Sequence, residues 1–205
     1  MNKPLTEKTL VVIKHDGVAR GLVGEIVGRY ERAGLKVVAM KLLHASKDLA
    51  AKHYTSTDED HARRGNNTLR DAAEKGVDVN VKFNTQDPIE IGKKINDWLI
   101  DYINEGPVVA FVLEGYSAIK VARKITGSTL PNEAASGTIR GDLTHDNPEL
   151  ANFHDRPMRN LVHASGNPQE AEVEINLWFA KEEVFDYPRV DEESMFGPLK
   201  PVKSQ

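Results

Sequence analysis

The chain has 205 residues, with 27 Lys and Arg against 31 Asp and Glu, a net charge of −4. That length predicts one domain, and the acidic balance argues against a dedicated nucleic-acid binder, which carries a basic footprint. Cysteine is absent, which excludes disulfides and thiolate metal sites and suits a reducing compartment.

TLVVIK (Thr9–Lys14) is an apolar, β-branched run that predicts a buried strand. In GLVGEIVGRYERAG, Leu22, Val23, Ile26, Val27 and Tyr30 recur at helical spacing, and Gly34 supplies the stop. LKVVAMKLL (Leu35–Leu43) predicts a second strand, and Ser46–Tyr54 a short helix capped by Ser46. From Thr55 to Asp87 the chain is polar. RRGNN (Arg63–Asn67) reads there as a turn, and Thr68 with Asp71 as a capping box for a short helix ending at Gly76. Asp87, Pro88 and Glu90 open a helix whose stripe Ile91, Ile95, Trp98, Leu99, Tyr102 and Ile103 is core. PVVAFVLEG (Pro107–Gly115) is the third strand and Ser117–Thr126 a helix. Gly127–Gly141 reads as a loop, and Thr144–Met158 as a polar stretch with little periodicity. Glu170–Leu177 predicts a helix and VFDY (Val184–Tyr187) a fourth strand. The tail from Pro188 is an irregular arm.

This order predicts an α+β fold, a ferredoxin-like βαββαβ sandwich. Its four-stranded antiparallel sheet would carry helices on one face, plus inserted helical segments. One domain spans 1–205, with insertions around 55–88 and 144–158 and a C-terminal arm at 188–205. A doubly wound sheet would need more strands. No run approaches the ~20 apolar residues of a membrane span, and the N-terminus lacks the apolar core of a signal peptide. The expected location is cytoplasmic.

No G-x-x-x-x-G-K-[ST] loop, no G-x-G-x-x-G after a strand and no H-E-x-x-H occurs. DEDH (Asp58–His61) and His145-Asp146 could bind a metal adventitiously but do not read as a dedicated metal site. What remains is a set of cations and one histidine at element ends. Lys14 closes the first strand, Arg123 lies on the helix after the third, Thr129 and Arg140 bracket the loop, and Asn160 precedes His163. Converging Lys, Arg, hydroxyl and amide groups suit a phosphate chain. A nucleophilic histidine needs one free ring nitrogen and an acceptor holding the other. Glu170, Glu172 and Glu174 offer three such acceptors, with Glu170 and Glu174 on one helical face. Ser165 adds a hydroxyl.

The blocks LVVIKHDGVARGLVGEIVGRYERAGLKVVAMKLL, GPVVAFVLEG, VARKITGST, GTIRGD and RNLVHAS with EAEVEINLWF resemble, in order, the nucleoside diphosphate kinase family. The resemblance implies that His163 is the phosphorylated histidine, Glu174 the acid holding its other nitrogen, and Ser165 the serine bonded to that acid. It implies that Lys14, Tyr54, Arg123, Thr129, Arg140 and Asn160 bind nucleotide phosphates and ribose. It further implies ping-pong transfer with Mg²⁺, nucleoside tri- and diphosphates as partners, and a tetrameric or hexameric homo-oligomer. The chain departs from the family pattern at His15, which stands for proline, and at Ala164 and Gly166, which stand for glycine and aspartate. In the first insertion, ungapped counting puts Ile95 where the family stacks an aromatic on the base, and Arg63 and Arg64 read as solvated. These departures leave an alternative, a catalytically inactive nucleotide-binding or scaffold relative. An imidazole of ordinary pKa, about 6.5, predicts activity falling as pH drops through roughly 6–7.

Overall fold

The computed structural model describes residues 6–74, 76–154 and 156–197. In chain order the elements are β1 (Thr6–Ile13), α1 (His15–Ala19), α2 (Val23–Arg32), β2 (Lys36–Leu43), α3 (Lys47–His53), α4 (Asp58–Glu74), α5 (Val79–Phe83) and α6 (Pro88–Asn104). Then come β3 (Val108–Tyr116), α7 (Ala118–Thr126), α8 (Ile139–Leu143), α9 (Pro148–Phe153), β4 (Val162–Ala164), α10 (Pro168–Trp178) and α11 (Glu192–Phe196). The four strands form one sheet in the order β2-β3-β1-β4, every pair antiparallel. Two βαβ crossovers, β1–α2–β2 and β3–α7–β4, interleave to give it, which is the ferredoxin-like arrangement.

The continuous apolar runs of β1 and β3 follow from their central position. Val11, Ile13, Phe111 and Leu113 face Ile26 and Tyr30 of α2 and Ala118 and Ala122 of α7. The alternate residues Leu10, Val12, Ala110 and Val112 face Ala50 of α3, Ile103 of α6 and Trp178 of α10. The expectation of helices on one face holds for the crossover pair only. The second face is covered too, because period-2 alternation sends an apolar side chain to both sides of the central strands.

The fourth strand is Val162–Ala164, not Val184–Tyr187. Val162, His163 and Ala164 pair with Ile13, Val12 and Val11, a three-residue strand too short to show a period. VFDY runs beside β2 instead, through Phe185 N–H donating to Val38 O at 2.8 Å and Tyr187 Oη–H donating to Val37 O at 2.7 Å.

RRGNN is not a turn. α4 runs through it unbroken, and the capping box sits earlier. Thr57 N donates to Asp60 Oδ2 at 3.2 Å, and Asp60 N to Thr57 Oγ1 at 3.2 Å. Gly65 is there for packing: a Cβ would lie 1.9 Å from the Pro88 carbonyl oxygen, and one on Gly92 would lie 2.0 Å from that of His61. The two glycines let α4 and α6 touch backbone to backbone. Val79, Phe83 and Ile91 form a small separate core beneath them, with Leu69, Ile95 and Trp98 packed against it.

Two loops are more ordered than their composition suggests. In 127–141, Thr138 Oγ1 accepts from Gly141 N at 3.1 Å and starts α8. In 144–158, Asn147 Oδ1 accepts from Leu150 N at 2.8 Å and starts α9, while Asp146 holds Arg156 Nη1 at 2.6 Å and Arg159 N at 2.6 Å. Of the C-terminal arm, 188–197 is packed: Arg189 Nη1 donates to Leu35 O at 3.2 Å, and the Phe196 ring lies 4.8 Å from that of Tyr116. Residues 198–205 lie outside the described residues.

Candidate active site

Where β1 ends, the chain turns into α1 and leaves Lys14 at the junction. Its N–H donates to Leu161 O at 2.8 Å. Lys14 is 4 % exposed, and its Nζ donates to Asn160 Oδ1 at 2.8 Å and lies 4.6 Å above the Tyr102 ring. Leu161 has φ +64, a strained conformation for a branched residue. It is over-determined by burial, by the bond from Lys14 and by its own N–H donating to Asp16 Oδ2 at 3.2 Å. This strained residue separates Asn160 from β4 and sets the direction in which His163 leaves the sheet.

Lys14, Tyr54, Arg123, Thr129, Arg140, Asn160 and His163 all line one cavity of about 250 Å³. Leu99, Thr126, Gly127, Val162, Ala164 and Glu170 complete it. Every residue taken from the resemblance as phosphate- or ribose-binding is therefore on its wall. Ser165 and Glu174 stand behind His163, both buried. His163 Nε2 lies 2.8 Å from Glu174 Oε1, close but without the alignment of a full hydrogen bond. Ser165 Oγ donates to Glu174 Oε2 at 2.6 Å. Of the three glutamates on α10, the geometry selects Glu174 for the imidazole. Glu170 faces the cavity, where its Oε2 accepts from Gly166 N at 3.0 Å.

Arg140 does two things. Its Nε donates to Asn160 O at 3.1 Å and its Nη2 to Val162 O at 2.5 Å. Its Nη1 donates to Gly127 O and Ser128 O, each at 3.0 Å. Four of the five guanidinium protons thus tie α8 to β4 and to the loop after α7, leaving one N–H for a ligand.

The buried cations raise the potential of the cavity. Burial, and then the charge of Arg140, bring Lys14 down to about 7, against the pull of Asp16. Arg140 falls to about 10, mainly through burial. Burial and then Lys14 hold His163 neutral down to about 3, with Glu170 opposing. Desolvation thus opposes the pull of the nearby acid on His163, and favours the neutral ring. Burial raises Glu174, opposed by His53 and the Ser165 bond.

The departures from the family pattern have local causes. His15 Nδ1 bonds Tyr102 O at 2.9 Å, and its Nε2 lies 3.1 Å from Glu105 Oε2, so it pins the lysine turn to α6. A Cβ on residue 166 would lie 2.5 Å from Glu170 Oε2, so Gly166 leaves room for that carboxylate. Ile95 packs into the outer core, and Leu99, one turn on along α6, lines the cavity in its stead. Arg63 is exposed and pairs with Asp60 at 2.9 Å. Arg64 is not simply solvated: it donates to Ser56 Oγ at 2.8 Å and Asn96 Oδ1 at 2.9 Å. Leu99, expected in the core stripe, and Glu170, expected among the acceptors for the imidazole, line the cavity instead, and His53 was not among the expected site residues. His53 is adjacent to Tyr54, which was the one available signal.

A ferredoxin-like sheet with a buried, cation-lined cavity and a carboxylate-backed imidazole on its edge strand is the class these features define. The nucleoside diphosphate kinase family model matches residues 7–75 and 85–184. A nucleoside diphosphate kinase of Pyrobaculum aerophilum is 47% identical over 180 residues, 88% of this chain and 98% of that one. A crystal structure of an NDP kinase from the same organism superposes with TM-score 0.86 at 45% identity, over 88% of this chain and 100% of that one. A transition-state mimic of the Borrelia burgdorferi nucleoside-diphosphate kinase, with bound vanadate and ADP, matches at 35% identity and TM-score 0.76, over 95% and 99%. The chain belongs to the nucleoside diphosphate kinase family. Among the described residues, no helix is long and apolar enough to cross a membrane.

Proposed function

We propose that the protein transfers the terminal phosphate of a nucleoside triphosphate to a nucleoside diphosphate in two half-reactions through His163. The observation that carries this reading is an imidazole on the wall of a cation-lined cavity, with Nε2 2.8 Å from buried Glu174. Nδ1 is then the nitrogen left to attack. Its lone pair forms the N–P bond as the bond from phosphorus to the bridging oxygen breaks, and the diphosphate leaves with that electron pair. The product imidazolium keeps its proton on Nε2, against Glu174. A second diphosphate reverses the step and restores neutral His163.

The chemistry of phosphoryl transfer is dominated by positioning and by stabilisation of charge on oxygen. Lys14, Arg123 and Arg140 supply the positive charge. Asn160 and Thr129 orient the chain, and Asn160 is itself held by Lys14 and by Thr129 O, which accepts from its Nδ2 at 3.2 Å. The cavity is smaller than the ~300–1,000 Å³ of pockets that enclose a drug-sized ligand. It suits the phosphate chain, with the base held outside near Tyr54 and Leu99, and base selectivity should be weak.

Mg²⁺ belongs to this reading. Glu170 is the one cavity carboxylate among the described residues, and its Oε2 is already bonded. The donor set therefore fits a cation carried on the phosphate oxygens, with Glu170 as the one side chain able to approach it. When bound, the ion neutralises phosphate charge. A homo-oligomer is also proposed, supported by Met40 and Leu42 at 46% and 65% exposure on edge strand β2. Cytoplasmic location is supported by the cysteine-free composition. No observation favours the inactive-scaffold alternative.

The test is a two-step assay. The protein is incubated with labelled ATP and Mg²⁺, isolated, and given unlabelled GDP. Acid-labile label on the wild type, absent from His163→Ala and discharged as GTP, is expected. Bound ATP without label on the protein would overturn the reading.

A further inference from the structure

Behind the His163–Glu174 pair lies a second histidine that does not line the cavity. His53 ends α3, and its side chain is fully buried. Its ring centroid is 4.4 Å from that of His163 and 5.5 Å from that of Trp178, edge-on to both. Its Nδ1 lies 3.5 Å from Glu174 Oε1, the same oxygen that lies 2.8 Å from His163 Nε2. The other oxygen is taken by Ser165. Two imidazole nitrogens therefore face one carboxylate oxygen, and only one of them can use it well.

The tryptophan decides between them. An indole N–H only donates. Trp178 Nε1 lies 3.2 Å from His53 Nδ1, so that nitrogen is the acceptor. The proton of neutral His53 is then on Nε2, which is buried with no hydrogen-bond partner among the described residues. An unprotonated Nδ1 has nothing to offer Glu174 Oε1. The 3.5 Å separation is what two acceptors facing each other keep. Burial, with His163 beside it, holds His53 neutral to about 3, so a doubly protonated ring does not intervene at ordinary pH.

We propose that Trp178 and His53 form a tautomer lock that reserves Glu174 Oε1 for His163. Both are positioning residues: neither lines the cavity, and both act through Glu174. The lock explains why a buried histidine is tolerated beside the nucleophile. Without the indole donor, His53 would place its proton on Nδ1, bond Glu174 Oε1 and draw the carboxylate away from His163.

The proposal rests on the His163–Glu174 reading and has a test independent of it. In wild-type protein labelled with ¹⁵N-histidine, His53 should show a protonated Nε2 and an accepting Nδ1 across pH 6–8. A protonated Nδ1 overturns the lock whatever the enzyme does. The kinetic test follows single-turnover labelling by ATP and Mg²⁺. Trp178→Phe should slow labelling on the order of tenfold, the scale of a misplaced reacting group, with little change in nucleotide KM. Adding His53→Phe to that variant removes the competing donor and should recover most of the rate. A double variant at least as slow as Trp178→Phe alone would mean the two residues only fill space, and would overturn the proposal. Thermal melts of each variant separate loss of fold from loss of rate.

Discussion

The cavity wall and the α4–α6 hairpin use the same residue types for opposite purposes. At the cavity, polar groups sit at the ends of strands and helices, and charge is buried on purpose. Lys14, Arg140 and Asn160 are all under a tenth exposed and are held by one another or by backbone carbonyls. In the hairpin, charge stays outside, and close contact between Gly65 and Gly92 and their facing backbones does the holding. The first region is held by hydrogen bonds among buried polar groups; the second is held by backbone contact that leaves no room for a side chain. Substitutions should therefore couple stability and activity in the first region and separate them in the second.

The largest effect is expected at Arg140. Arg140→Ala leaves the carbonyls of Gly127, Ser128, Asn160 and Val162 without this donor. At ~1–3 kcal/mol for each buried group left unsatisfied, loss of stability and loss of activity should appear together in denaturant melts and steady-state assays. Arg123→Ala is the contrast: nucleotide KM should rise while the melt stays close to wild type. Equal stability loss in both variants would erase the distinction between a structural and a ligand-facing cation.

Gly65→Ala should come next. Its Cβ meets Pro88 O at 1.9 Å, so α4 must shift away from α6. Overpacking costs ~1–3 kcal/mol, which for a chain of this size lowers Tm by ~2–4 °C per kcal/mol. At 25 °C kcat should stay within a few-fold of wild type. A collapse of kcat with Tm unchanged would place the hairpin in the chemistry rather than beside it.

The pH profile sharpens the cavity side. Lys14, at about 7 in the free enzyme, is charged below that value and loses its proton above it. Nucleotide phosphate prefers the charged form, so kcat/KM should fall as pH rises through 7. Bound phosphate raises the Lys14 pKa, so kcat should not follow. On the acid side His163 is already neutral, and kcat should hold from pH 8 to 5. A fall in kcat centred on 6–7 would return His163 to an ordinary imidazole. The smallest effect belongs to Thr57→Ala, which removes the α4 cap. It should cost about 1 kcal/mol in a denaturant titration, with activity intact.

Much of this was readable in the chain. Continuous apolar β1 and β3, the Asp87-Pro88 helix start and the Ser46 cap announce themselves because each reflects a local rule. The cavity residues came from a family resemblance, since spacing along the chain does not show that Lys14 and Asn160, 146 positions apart, hydrogen-bond. What stayed hidden was decided by tertiary contact. RRGNN reads as a turn until Gly65 is seen to face Pro88. Val162–Ala164 is too short for a period, and its strand character is set by β1. The His163 pKa follows from desolvation and three surrounding cations, none of which is adjacent in sequence.

The central claim is that His163 attacks through Nδ1 while Glu174 holds Nε2. The direct measurement is ³¹P–¹⁵N correlation NMR of the phosphoenzyme, made from ¹⁵N-histidine-labelled protein with ATP and Mg²⁺ under alkaline trapping. The account predicts phosphorus coupled to Nδ1 of one histidine, lost in His163→Ala. Phosphorus on Nε2, or on a different residue, would contradict it.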